Sequence, residues 1–170
     1  MTIADWLTIS VIFIGPIFAV QLTRFLDDQK EVRARKLEIF KTLMATRAYG
    51  VSWTHVEALN RIDLEFDRAN KREKEVIDAW KEYLDLLGNT AISPEQWDVR
   101  RVELYVELLH KMAKVLNYDF DKTHIKNSSY SPRAHRETEE QLVTIRKDLI
   151  EMLEGKRPLP MEITNWPQSK

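Results

Sequence analysis

The sequence predicts an all-α protein, with an N-terminal single transmembrane helix followed by a cytoplasmic bundle of about five helices. Three observations carry that expectation. Among 170 residues only 4 are Gly and 6 are Pro, while 44% are hydrophobic and 31% charged. Such a composition suits long charged helices and disfavours turn-rich sheets or disordered chain. Residues 6–23 hold no charge at all. Beyond them apolar positions recur at three- and four-residue intervals, and no stretch alternates with the period of two that a half-buried strand requires.

The length suits one domain. Lys and Arg number 26 against 27 Asp and Glu, a net charge of -1, so no global field draws in nucleic acid. With no cysteine there is no disulfide framework, thiolate nucleophile or cysteine-ligated zinc.

The uncharged run, as a helix rising 1.5 Å per residue, covers about 27 Å, just short of the roughly 30 Å of bilayer hydrocarbon. A cleaved signal peptide would open with positive charge, whereas Asp5 is the sole early charge. Arg24, Lys30, Arg33, Arg35, Lys36 and Lys41 follow the run and no Lys or Arg precedes it. The positive-inside rule therefore expects an inner-membrane protein, N-terminus outside and C-terminus cytoplasmic, with Trp6 at the outer interface. Ser10, Gly15, Pro16, Ala19 and Gln21 are the candidate membrane contacts. Pro16 removes a backbone hydrogen bond at mid-span, Gly15 and Ala19 allow close helix approach, and Ser10 and Gln21 gain from a neighbouring span.

The boundaries expected are an anchor over 1–24, a stalk and first bundle helix over 25–48, the cytoplasmic bundle over 49–157 and an irregular tail over 158–170. In the stalk helix Leu37, Phe40, Leu43, Met44 and Arg47 share a face. Ser52 is read as the N-cap of a second helix reaching about Asp67, with Val51 and Val56 spaced as a hydrophobic staple and Val56, Leu59, Ile62 and Phe66 as its stripe. The third helix runs from about Asn70 to Leu87 on Val76, Ile77, Trp80, Tyr83, Leu84 and Leu87, closed by Gly88. Ser93-Pro94-Glu95-Gln96 opens a fourth, to about Leu116, on Trp97, Leu104, Tyr105, Leu108, Met112, Val115 and Leu116. Residues 117–130 read as an irregular loop. Ser131-Pro132 starts a fifth helix in the style of the fourth, with Thr138, Leu142, Ile145, Leu149 and Met152 or Leu153 nearly in heptad register and Gly155 ending it.

Ile39-Phe40-Lys41-Thr42-Leu43-Met44-Ala45-Thr46-Arg47-Ala48 and His55-Val56-Glu57-Ala58-Leu59-Asn60 resemble a family of short bacterial proteins known as a domain of unknown function. The resemblance continues through Val76-Ile77-Asp78-Ala79-Trp80-Lys81, Tyr118-Asp119-Phe120-Asp121, Tyr130-Ser131-Pro132 and Gly155-Lys156-Arg157-Pro158-Leu159-Pro160-Met161. It implies a hydrophobic N-terminal anchor and no known activity. Trp53 departs from it, standing where similar sequences tend to have proline after the capping serine.

Several constellations invite a chemical reading, and each has a plain structural one beside it. Helical ribonucleases that act as paired protomers set an arginine a short fixed distance before a histidine. Here Arg47 and His55, and Arg101 and His110, are too far apart, and Arg133 and His135 too close. Arg133, His135 and Arg136 beside a helix start remain the candidate phosphate site if the protein is a nuclease. Glu107 and His110 match half of a di-iron pattern but point away from the helix stripe and have no second pair, so they read as a solvated face. Asp119 and Asp121 lack the glycine and closing glutamate of a calcium loop and read as turn caps. Arg47, Asn60 and Asp63 form a candidate polar cluster, foremost an ion pair between antiparallel helices. Trp53, Trp80 and Trp97 read as core.

No catalytic, cofactor-binding or metal-binding residues are expected, and no cofactor. The favoured expectation is a membrane-anchored, non-enzymatic protein that homo-oligomerises and acts on the lipid bilayer as an effector in bacterial stress or phage defence. The alternatives are a scaffold recruiting a cytosolic protein partner through the 117–130 loop or the tail, and a membrane-tethered ribonuclease.

Overall fold

The computed structural model describes residues 3–158, with side chains for residues 15–132, 134, 137, 138 and 140–158. Every regular element among them is an α-helix: α1 (Ile3–Thr46), α2 (Trp53–Asn60), α3 (Ile62–Glu65), α4 (Lys71–Leu87), α5 (Pro94–Val115), α6 (Lys122–Asn127) and α7 (Arg133–Leu153). The chain divides into two compact units, Met1–Ser129 and Tyr130–Lys170, inside the stretch that the sequence treats as one bundle.

The uncharged run and the charged stretch after it form one continuous 44-residue helix, α1, which passes through Pro16 without a break and is about 66 Å long. From residue 15 to residue 31 every position is exposed, and Lys36 is the first buried one. Gly15, Pro16, Ala19 and Gln21 are exposed, while Trp6 and Ser10 lie outside the described side chains. Among the described residues no helix is long and apolar enough to cross a membrane.

The core of the first unit forms where the C-terminal third of α1 meets α2 to α6. Ile39, Phe40 and Leu43 from α1 lie against Leu59 and Ile62, against Val76, Ile77, Trp80 and Tyr83 of α4, and against Leu108, Leu109 and Met112 of α5. Helix α4 packs most extensively on α5, and each is capped as its sequence demands. Asn70 accepts from the Arg72 and Glu73 amides, Gly88 is the C-cap of α4, and Ser93 accepts from Gln96 N ahead of Pro94.

Several expectations are corrected. The second helix is broken at Arg61 into α2 and α3. Its N-cap is Ser52, but Val51 and Val56 are both exposed, so the staple does not close. Trp53 is 90% exposed rather than core; the inward face of α2 is formed by His55, Ala58 and Leu59.

Residues 117–130 are not an open loop. Asn117 takes a left-handed conformation (φ 61°), with Tyr118 N bonded to Ala113 O and Asn117 N to Lys114 O, the double closure of a Schellman motif. The turn lays Tyr118 and Phe120 against Phe40, with ring centroids 5.7 and 6.3 Å away. Asp121 then caps α6 by accepting from His124 N at 2.6 Å, and Ile125 is buried. Arg33 of α1 donates to Leu116 O at 2.9 Å, answering the negative end of α5 with a cation.

In the second unit α7 starts after Pro132 without a side-chain cap, unlike α5. Gly155 (φ 72°) closes it, with Lys156 N bonded to Glu151 O and Arg157 paired with Asp148. Its stripe of Leu142, Ile145 and Leu149 is exposed rather than core.

Candidate functional site

The expected cluster of Arg47, Asn60 and Asp63 does not assemble. Asp63 accepts from Trp80 Nε1 at 3.1 Å and pairs with Arg68 at 3.5 Å, while Asn60 is exposed. Arg47, one residue beyond α1, turns back to donate from Nη1 to Met44 O at 2.5 Å. Its Nε is the buried side-chain polar atom without a hydrogen-bond partner among the described residues.

A different polar group gathers around the end of α1. His55, on α2, is only 2% exposed. Thr46 Oγ1 spends its proton on Thr42 O at 2.7 Å, so at 2.9 Å it accepts from His55 Nδ1–H, which fixes the tautomer. The imidazole lies 5.3 Å, centroid to centroid, from the ring of Tyr105 on α5, and Tyr105 lies 5.4 Å from Tyr83 on α4. The Tyr105 hydroxyl donates to Leu43 O at 2.9 Å. Arg101, one turn before Tyr105, pairs with Asp98 at 3.2 Å and lies over Trp97 at 5.4 Å. Four helices thus meet around one histidine.

Burial pushes the His55 imidazole below its ordinary range, and the Arg101 guanidinium pushes the same way. Burial raises both Tyr83 and Tyr105 above the usual phenol range. The group is chemically a clasp. Tyr105, Arg47 and the Tyr49 amide satisfy the Leu43, Met44 and Thr46 carbonyls at the end of α1, which would otherwise be left open. At 2% exposure His55 has no access to a phosphodiester, and its Nδ1 partner is a threonine rather than a carboxylate.

The other histidines with described side chains are also committed. His110 Nδ1 bonds Phe120 O at 2.8 Å, and His124 stacks on Phe120 at 5.1 Å. Glu107 is not merely solvated, since Lys122 of α6 reaches it at 2.5 Å and Lys111 at 3.7 Å. Burial opposes its ionisation, but the Lys122 hydrogen bond and the Lys122 and Lys111 charges hold its carboxyl below the usual range. Glu107 and His110 therefore fasten α6 and the turn before it onto α5. Beside them Val102, Val106, Lys122 and Lys126 line an open groove of about 580 Å³.

Arg133, His135 and Arg136 lie outside the described side chains. Among the described residues no three His, Asp or Glu side chains stand close enough to hold a metal ion.

Sequence reasoning missed His55, although the signal is present. His55, Leu59 and Ile62 fall at i, i+4 and i+7, so the histidine lies on the stripe that Val56 was assigned. Arg101 gives no such signal, because its link to His55 is made across helices far apart in sequence.

No curated protein and no solved structure matches the chain. The model of a family of unknown function, DUF6680, matches residues 1–170, and the chain belongs to that family.

Proposed function

We propose that this chain is a non-enzymatic, single-pass membrane protein that self-associates through the first half of α1 and carries its helical core on the cytoplasmic face. One observation carries the reading. α1 runs unbroken from Ile3, yet Ile17, Phe18, Val20, Leu22, Phe25 and Leu26 are 47 to 67% exposed. These side chains stand on several sides of the helix and clear of the core. Water is an unfavourable surrounding for so much contiguous apolar surface. Lipid covers all sides of such a helix, and a neighbouring copy adds partners for Gln21 and for the backbone freed by Pro16.

The test is fractionation of the full-length protein. It is expected with the cytoplasmic membrane, resistant to carbonate and high salt, with a reporter after Lys170 on the cytoplasmic side. Recovery in the soluble fraction without detergent would sink the anchor, and a periplasmic reporter would reverse the orientation. The effector reading in stress or phage defence adds that assembled spans act on the bilayer. Expression should then depolarise cells and require residues 1–24, whereas a ribonuclease stays toxic without them.

A scaffold for a cytosolic partner is the second reading. It is favoured by Val51, Trp53 and Leu64, which are 88%, 90% and 81% exposed on the outer side of the α2–α3 segment. The docking element of that reading moves from residues 117–130, which pack on α1 and α5, to this patch. The tail beyond residue 158 lies outside the described residues.

A further inference from the structure

His55 is a buried imidazole with one ring nitrogen already committed. Its Nδ1–H already uses the oxygen of Thr46. Just beyond α1 stands Arg47, whose charge acts on Tyr105, and from α5 come Arg101 and the ring of Tyr105. α4 contributes Tyr83, packed on Tyr105. The Tyr105 hydroxyl is spent as a donor on Leu43 O. Arg101 supplies the one side-chain charge acting on the imidazole, and its own carboxylate partner, Asp98, is on the solvent side, 69% exposed. A protonated ring would therefore be a buried cation near another, hydrogen-bonded to a threonine and to no carboxylate among the described residues.

The element that carries the ring is the one least able to stay without it. α2 has eight residues, too few to persist as an isolated helix. Its inward face is only His55, Ala58 and Leu59, and the chain joins it to α1 through the short turn at 47–52. α4 and α5 keep their own mutual packing and both caps if α2 lifts.

We propose that His55 is an acid-operated latch: uptake of a proton by its imidazole releases α2 from its seat against α1 and α5 while the α4–α5 pair stays folded. Release bares Leu43, Ala58, Leu59 and the Tyr105 ring next to Val51 and Trp53, which are already exposed. A small apolar patch thereby becomes a larger one under mild acid. The buried imidazole resists protonation in the closed state and accepts it at its ordinary value near 6.5 in the open one. The open population therefore grows as pH falls below that value.

The experiment is hydrogen–deuterium exchange on the full-length protein in detergent micelles at pH 7.5 and 5.5, corrected for the intrinsic chemistry of exchange. Amides of residues 53–60 are expected to open several-fold more often at pH 5.5, short of the roughly tenfold linkage limit for one such group over this interval. Amides in the middle of α4 and α5 are expected to hold their protection. His55→Gln should flatten the response of α2. Arg101→Gln, which removes the opposing cation and leaves the imidazole in place, should shrink it, and this variant carries the test if His55→Gln fails to fold. Equal α2 exchange at the two pH values, loss of α4 and α5 protection together with α2, or an unaltered response in Arg101→Gln would each overturn the latch.

Discussion

Lys36 Nζ donates to Glu73 Oε2 at 2.6 Å, with side chains only 9% and 11% exposed, tying the first buried position of α1 to the first turn of α4. Glu73 also accepts from Asp67 N at 2.8 Å, and the ammonium lies over the Phe66 ring at 5.7 Å. Glu73→Ala strands a buried cation, so it should cost about 3–5 kcal/mol. Lys36→Met with Glu73→Leu should cost clearly less than the two single changes added together. Denaturant unfolding of the full-length protein in detergent measures both. Strict additivity would show that the two groups do not act as a pair.

Trp80 is 4% exposed and its indole N–H is held by Asp63. Trp80→Ala should lose about 3–5 kcal/mol, and Trp80→Phe less. Asp63→Ala should lose stability in the parent protein and much less in the Trp80→Phe background. Arg47→Met and Asp63→Ala, by contrast, should add to within about 0.5 kcal/mol, because the two side chains do not meet. A coupling well above that value, from the same unfolding curves, would restore the ion pair that the sequence suggested.

Asn117 holds the left-handed turn between α5 and the Tyr118–Phe120 stack. Asn117→Val forces a β-branched side chain into that conformation and should cost about 1–2 kcal/mol, with Asn117→Gly close to neutral. A melting temperature for Asn117→Val equal to that of the parent would mean that the turn re-forms another way.

Glu107 is held ionised by Lys122 and Lys111. A carboxyl depressed in the folded state contributes stability that is present above its unfolded value, near 4.5, and is lost as pH falls through its folded value. The melting temperature should therefore decline below about pH 4.5. Lys122→Met should lower it at neutral pH and reduce the further loss on acidification. An acid limb of the same depth in Lys122→Met would remove Glu107 as its source.

The legible part of this molecule is where local chemistry and packing agree. Ser93-Pro94 and Asn70 mark helix starts by donor and acceptor geometry alone, and Val76, Ile77, Trp80 and Tyr83 bury together because no tertiary competitor claims their face. The break at Arg61 was hidden because His55, Leu59, Ile62 and Phe66 keep a helical rhythm across it. α6 was hidden by its six residues, too few to show a period, and by Asn117 taking the left-handed position after the α5 C-cap where glycine is the usual signal. Arg47 and Asp63 are each apt for an ion pair. Trp80 and the Met44 carbonyl were nearer, and only the assembled fold shows that. The exposure of Trp53 likewise depends on which face His55 takes, a choice that hydrophobicity alone assigns the other way.

α1 also sets an angular rule on its own sequence. In an unbroken helix each residue contributes a rotation of about 100° and an advance of about 1.5 Å. Adding or removing a single residue between Arg24 and Glu31 would thus rotate the core about the helix axis relative to the apolar segment, with Arg33 still on Leu116 O and Lys36 still facing Glu73. Seven residues would bring the two back to within about 20° of their original phase, some 10 Å farther apart. The stretch of mixed charges in between therefore acts as a ruler whose length matters modulo a turn, and its composition can drift far more freely than its residue count.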